Sequence, residues 1–226
     1  MQKKTFYSEL AYIFGVLSTA LGTALMTHAD FGVSMVVAPS YLIHLKVSET
    51  LPFYSFGMSG YIFEAFIILL TAIVVRKFRI SYLFSFVTAF LFGLALDGLL
   101  IPTALIPCEH IAVRILFLIF GMLFVSAGVS MLYHTYIPPE AYELFVKEVS
   151  AKSGIVISRV KTAYDLSSLV FSIILSFIFF GFMHFEGIGI GTIVSALLNG
   201  FIIGRFTKLF EHYFVFRDRM PWRKYI

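Results

Sequence analysis

Long apolar runs broken by short polar clusters set the pattern of this chain. A helix needs roughly 20 apolar residues to cross about 30 Å of hydrocarbon. Six runs qualify: residues 6–27, 51–75, 80–101, 111–133, 158–183 and 187–204. His28-Ala29-Asp30 closes the first, Arg76-Lys77-Phe78-Arg79 the second, and Arg205 the sixth. Pro138-Pro139 follows the fourth. Acids interrupt three of them: Glu64, Asp97 and Asp165. Two further segments do not span. Residues 33–45 are apolar but too short, with Pro39 in the middle. Residues 140–153 mix Tyr142, Leu144, Phe145 and Val149 with Glu143, Lys147 and Glu148, which predicts a short amphipathic helix. Lys3 and Lys4 ahead of the first run imitate a signal peptide. The run is too long for an h-region and lacks a small-x-small cleavage site, so a retained first helix is expected.

Composition agrees with the pattern. Of 226 residues, 59% are apolar and 13% charged. A soluble domain carries about 25% charged residues, so this chain could not cover a compact core with a solvated surface. A soluble enzyme, a disordered chain and a nucleic-acid binder are therefore not expected. The expected class is an all-α polytopic membrane protein whose first partner is the lipid bilayer. One cysteine, Cys108, allows no intramolecular disulfide and no Cys-based metal cluster. With the N-terminus in the cytoplasm, 15 of the 17 Lys and Arg residues fall on that side, leaving Lys46 and Arg114 outside. The positive-inside rule then gives six spans with both termini cytoplasmic. Residues 205–226 mix Phe, Tyr and Trp222 with basic side chains. They read as a cytoplasmic tail lying on the anionic leaflet.

The two halves match in order. At an offset of 106, Gly15 meets Gly121, Gly22 meets Gly128, and His28 meets His134. At an offset of 101, Glu64 meets Asp165. At an offset of 107, Thr88 meets Ser195, Ala89 meets Ala196 and Gly93 meets Gly200. Residues 1–107 and 108–204 then form two repeats of three spans each, with a short broken or amphipathic segment after each first span. Three is odd, so the second repeat enters the membrane in the opposite sense. An inverted repeat of this kind places a site near the midplane, beside the broken segments.

Certain elements resemble the YczE/YyaS/YitT group of small bacterial membrane proteins. They are Gly22-Thr23-Ala24-Leu25-Met26, Ala29-Asp30-Phe31-Gly32-Val33-Ser34 and Ser55-Phe56-Gly57 in the first half. In the second half they are Ser158-Arg159-Val160-Lys161-Thr162 and Gly187-Ile188-Gly189-Ile190-Gly191-Thr192. The likeness covers about residues 10–205. It implies a multi-pass protein of the bacterial inner membrane and supplies neither substrate nor catalytic residues.

Several residues are candidates for chemistry. Glu64 lies deepest, where an ionisable group costs roughly 2.5–3.5 kcal/mol and normally faces the bundle interior. It reads as a proton or cation carrier, or as a structural acid. Asp165 is shallower. Its i,i+4 spacing from Lys161 fits a surface ion pair, while Arg159 and Lys161 together could instead gate an anion. His28 and Asp30, with His44, could approach a metal, but no ligand spacing supports one. His134 lacks a nearby acid in sequence. Gly15, Gly22, Gly93, Gly121, Gly128, Gly200 and Gly204 read as helix-packing positions. Gly187-x-Gly189-x-Gly191 could expose backbone N–H groups, but no strand precedes it as a dinucleotide fingerprint requires. No catalytic motif, metal site or cofactor motif is present, so no enzyme is expected.

The expected function is a secondary transporter or permease for a small polar solute, with proton coupling through Glu64 as one use of that acid. The alternative is a non-transporting partner, sensor or substrate-capture subunit of a larger complex. A homodimer is left open.

Overall fold

The computed structural model describes residues 3–54, 56–181 and 188–220. Met183, Gly187, Ser55, Trp222 and the rest of the tail beyond residue 220 lie outside the described residues. A short strand β1 (Lys4–Tyr7) leads into α1 (Ser8–Ala29). Then come α2 (Ala38–Ser48), α3 (Phe56–Val75), a 3₁₀ turn (Ile80–Leu83) and α4 (Phe84–Ala104). The second half holds α5 (Ile111–Tyr133), α6 (Ala141–Ser153), α7 (Ile157–Phe180), α8 (Ile190–Tyr213) and strand β2 (Phe214–Arg217). Six stretches are long and apolar enough to cross a membrane: Ser8–Ala29, Met58–Val75, Ile80–Ala104, Ile111–Tyr133, Ile157–Phe180 and Ile190–Tyr213. The all-helical, six-span reading of the sequence therefore holds.

Two boundaries differ from expectation. The sixth helix does not stop at Gly204 but continues through Arg205, Lys208 and Glu211 to Tyr213. These are good helix formers, and a charge at that point does not break a helix that is leaving the apolar layer. The chain then forms β2, which pairs in parallel with β1, Lys4 opposite Phe214 and Tyr7 opposite Arg217. Phe6 packs tilted against Phe214 and edge-on against Phe216, at centroid distances of 5.3 and 5.8 Å. Glu9 accepts the backbone N–H groups of Arg219 and Met220. The beginning of the tail is thus clasped to the first helix.

That clasp puts the start of α1 and the end of α8 together, at what is called here the terminal end. At the opposite, far end, Gly191 N–H donates to Phe31 O at 2.9 Å and Thr192 Oγ1 donates to Val33 O at 2.6 Å. Arg114, in the first turn of α5, donates to Ala29 O and Asp30 O, so α5 starts at the far end. It finishes at the terminal end, where His134 stacks on Phe216. Lys152 of α6 donates to Val74 O, which fixes the end of α3 there too. Ser59, near the start of α3, donates to Ser40 O of α2. Helices α2 and α6 therefore lie at opposite ends.

Glycine lets α1 and α5 touch backbone to backbone. A Cβ on Gly22 would sit 2.5 Å from Gly121 O, and one on Gly128 would sit 2.6 Å from Gly15 O. Both distances are inside van der Waals contact, so larger side chains would push the helices apart. Gly200 and Gly204 of α8 press on Ser158 and Thr162 of α7 in the same way. Gly93 departs from expectation. A Cβ there meets no described atom within 4 Å, because α4 leans on α1 through another face.

Candidate functional site

The site grows from the second break in the chain. Helix α5 ends at Tyr133, where Thr135 Oγ1 donates to Leu132 O and Ile137 O, and Pro138 and Pro139, lacking N–H groups, bar its resumption just beyond. Pro138 O is held by Thr88 Oγ1 of α4 at 2.7 Å. The chain turns at Glu140 into α6, which is amphipathic as expected but not a surface helix. Its Ala141, Tyr142, Leu144 and Val146 are buried. Ala141, Tyr142 and Leu144 pack on Phe63, Ile67 and Ile68 of α3 and on Tyr82. Its first turn consequently carries Glu143 into the bundle beside α7.

There Glu143 meets Lys161 and Asp165. Lys161 Nζ donates to Glu143 Oε1 at 2.6 Å and lies 3.0 Å from Asp165 Oδ1. The Lys161 and Asp165 side chains are 2% and 0% exposed. The surface ion pair suggested by their spacing is thus corrected to a buried one, because α6 covers that face of α7. Tyr133 O–H donates to the other Glu143 oxygen. A buried charge is costly unless paired, and this arrangement supplies one ammonium to two carboxylates.

Glu64 lies on α3 beyond α6 and is 4% exposed. Its Oε2 has no hydrogen-bond partner among the described residues. Glu140 is within electrostatic reach of both acidic groups. Burial of the Glu140 carboxyl holds it well above the ordinary carboxylate range, and the negative charges of Glu64 and Glu143 add to this while Lys161 opposes it. Burial likewise pushes the Tyr142 phenol up, reinforced by Glu64 and Glu140. Lys161 is thus paired with Glu143 and Asp165, while Glu140 and Glu64 lie near them outside that pairing.

The first break in the chain carries different chemistry. Between α1 and α2 the chain is unwound, and its carbonyls are gripped by hydroxyls. Thr192 holds Val33 O, and Ser168 Oγ donates to Met35 O at 2.7 Å. Met35 is wholly buried, with its Sδ 3.4 Å from Ser195 Oγ.

The other candidates scatter. His28 Nε2 contacts Ile106 O at 2.9 Å, Asp30 pairs with Arg114 at 3.1 Å, and His44 Nδ1 contacts Tyr54 O at 3.0 Å. These three do not converge on a metal position. His134 does gain an acid, Glu211 at 3.5 Å, contributed by the part of α8 beyond Gly204. Arg159 is exposed in the first turn of α7, away from the buried pair. Glu140, Glu143, Tyr133 and Tyr142 were not singled out in the sequence. The spacing of Glu140 and Glu143, three apart on one helical face directly after two prolines, is the signal that could have found them.

No curated protein and no solved structure matches the chain. A family of proteins does match, over residues 6–208, which cover five spans, most of the sixth and every residue of the acidic centre. The chain belongs to that family, the family of unknown function DUF6198.

Proposed function

We propose that this chain is a secondary transporter for a small polar solute, coupled to protons through Glu64. The observation that carries the reading is the buried acidic centre. Four carboxyls and one ammonium are held inside six apolar helices, at a cost that packing alone would not require. A carboxyl with an unpartnered oxygen, enclosed between helices, is suited to take up a proton from one side and release it to the other.

Contacts of the kind an inverted repeat would make support the reading. Gly15 and Gly121 occupy matching places, as do Gly22 and Gly128. Gly15 touches Gly128, and Gly22 touches Gly121. A two-fold axis exchanges contacts in this way. Helices α2 and α6 at opposite ends fit the same axis. The resemblance to the YczE/YyaS/YitT group and the charge bias support a bacterial inner-membrane location with both termini cytoplasmic.

The test uses the full chain reconstituted in liposomes with an imposed pH gradient and a mixture of small polar metabolites. Mass spectrometry should find at least one solute accumulated above protein-free liposomes, and Glu64→Gln should reduce that accumulation to background. Equal contents in protein-containing and empty liposomes would remove transport and favour the partner-subunit alternative.

A further inference from the structure

Asp97 lies deep along α4, and two contacts with α1 set its level. Tyr12 Oη lies 2.9 Å from Thr88 Oγ1 toward the terminal end, and His28 Nε2 lies 2.9 Å from Ile106 O at the far end. The two helices therefore run in the same sense. Their partners are 76 and 78 residues apart, which places Asp97 level with residues 19–21 of α1. Helix α1 runs from Ser8 to Ala29, so that level is just past its middle. Seven residues, about 10 Å of helix, still separate Asp97 from the end of α4 at Ala104. A membrane crossed by α1 holds Asp97 in its hydrocarbon.

Asp97 also faces outward. It is exposed and makes no hydrogen bond or ion pair with any described residue. Helix α4 uses its other side to hold α1, through Thr88 bonded to Tyr12 and Phe92 packed in the Tyr12 cluster. Its span is the least buried of the six. Val87, Phe90, Leu94, Asp97 and Ile101 follow one another at alternating steps of three and four residues. The four apolar members are 51–70% exposed. Such steps draw one seam along a helix, the seam by which parallel helices pack. Gly98 lies beside Asp97 on the same face, and a Cβ there would meet no described atom within 4 Å.

An apolar face can rest against lipid, but a carboxyl in that face is costly and normally turns inward or finds a partner. Glu64 and Asp165 are buried in the bundle. Asp97 is not, so its partner must come from outside the chain. A second copy supplies one. The positive-inside bias inserts both copies in the same sense, and two copies then meet about an axis along the membrane normal. Near that axis each residue of α4 meets its own counterpart. Two adjacent carboxyls do not both ionise; they retain a proton and are joined by it. The seam is thus complementary to itself in shape and in chemistry, with no cation required.

We propose that the chain forms a homodimer through the outward face of α4, with the two Asp97 carboxyls joined across the two-fold axis. Each copy completes the hydrogen bonding of the other's acid, and Gly98 lets the two backbones come close. Such a dimer is independent of transport.

The test uses the full chain with single cysteines in a Cys108→Ser background, oxidised mildly in native membranes. Leu94→Cys and Ile101→Cys should give disulfide-linked dimers. Phe92→Cys and Leu99→Cys, on the side turned to α1, should not. Single-molecule photobleaching in liposomes then gives the dimer fraction at a series of protein-to-lipid ratios. Asp97→Leu keeps the seam apolar and should raise the protein density at half-dimerisation by roughly tenfold. Gly98→Leu should weaken the dimer as well, since added bulk holds the two backbones apart, and it decides the matter if Asp97→Leu does not fold. No interchain disulfide on the open face, equal disulfides on both sides, or undiminished dimerisation of the folded variants would overturn the proposal. A cross-link from Leu94→Cys to a different protein in place of a second copy would do the same.

Discussion

Asp165 and Glu64, which align when the two halves of the sequence are laid over each other, keep different company. Asp165 is wholly buried, 3.0 Å from the Lys161 ammonium, which also binds Glu143. Glu64 is almost as buried, and its Oε2, like both Asp165 oxygens, accepts no hydrogen bond among the described residues, but no cation there is paired with it. One acid is part of a closed electrostatic knot that fastens α6 to α7. The other stands outside that knot, without a paired cation among the described residues. The comparison teaches that neither burial nor an unfilled hydrogen bond separates the two acids; the counter-charge beside Asp165 and absent at Glu64 does.

Breaking the knot should have the largest effect. Lys161→Met leaves Glu143 and Asp165 facing each other in an apolar interior without a counter-charge. Removing one member of a buried ion pair costs about 3–5 kcal/mol. The variant should melt far below wild type in detergent, and adding Asp165→Asn to it should recover part of the loss. No rescue by the second change would mean that the three groups are not energetically joined.

The paired and unpaired acids should then separate by size of effect. Asp165→Asn keeps shape but weakens one charged contact while Glu143 still holds Lys161, for a loss of about 1.5–3 kcal/mol. Glu64→Gln disrupts no ion pair and should stay within about 1 kcal/mol of wild type. Thermal unfolding of both variants under identical detergent conditions checks the order. A reversed order would make Glu64 the structural acid.

Glu140 gives the smallest and most pH-dependent difference. Its carboxyl is held well above the unfolded value of about 4.5 by burial first and by neighbouring carboxylates second. The folded chain therefore keeps a proton that the unfolded chain loses. The stability associated with that proton is complete below the unfolded value and declines as pH rises toward the folded one. Glu140→Gln has no such proton, so its stability relative to wild type should rise as pH increases from 4.5 upward. A difference independent of pH would place Glu140 outside the centre.

The spans were legible because hydrocarbon-facing helices must be apolar along their whole length, and a pattern with one simple cause is easily read. Glu64, Lys161 and Asp165 stood out as charges within such runs. The burial of Lys161 and Asp165 was not legible, since i,i+4 spacing reports a shared face and not what covers it. Here the cover is α6, whose polar composition reads as a solvated segment. Glu140 and Glu143 were hidden for the same reason. The β1–β2 clasp joins segments 210 residues apart by backbone bonds, and a four-residue stretch such as Lys-Thr-Phe-Tyr carries no signature of so distant a partner. Gly93 and Gly200 look alike in sequence; only the placement of α3 and α7 separates an open contact from a closed one.

The unequal partnering of the two acids is tested most directly by dicyclohexylcarbodiimide, an apolar reagent that adds to carboxyls reachable from the membrane and not committed to a cation. The full chain is treated in native membranes, and modified peptides are mapped by mass spectrometry. The account predicts an adduct on Glu64, none on Asp165, and loss of the Glu64 adduct in Glu64→Gln. An adduct on Asp165, or equal modification of the two, would contradict it.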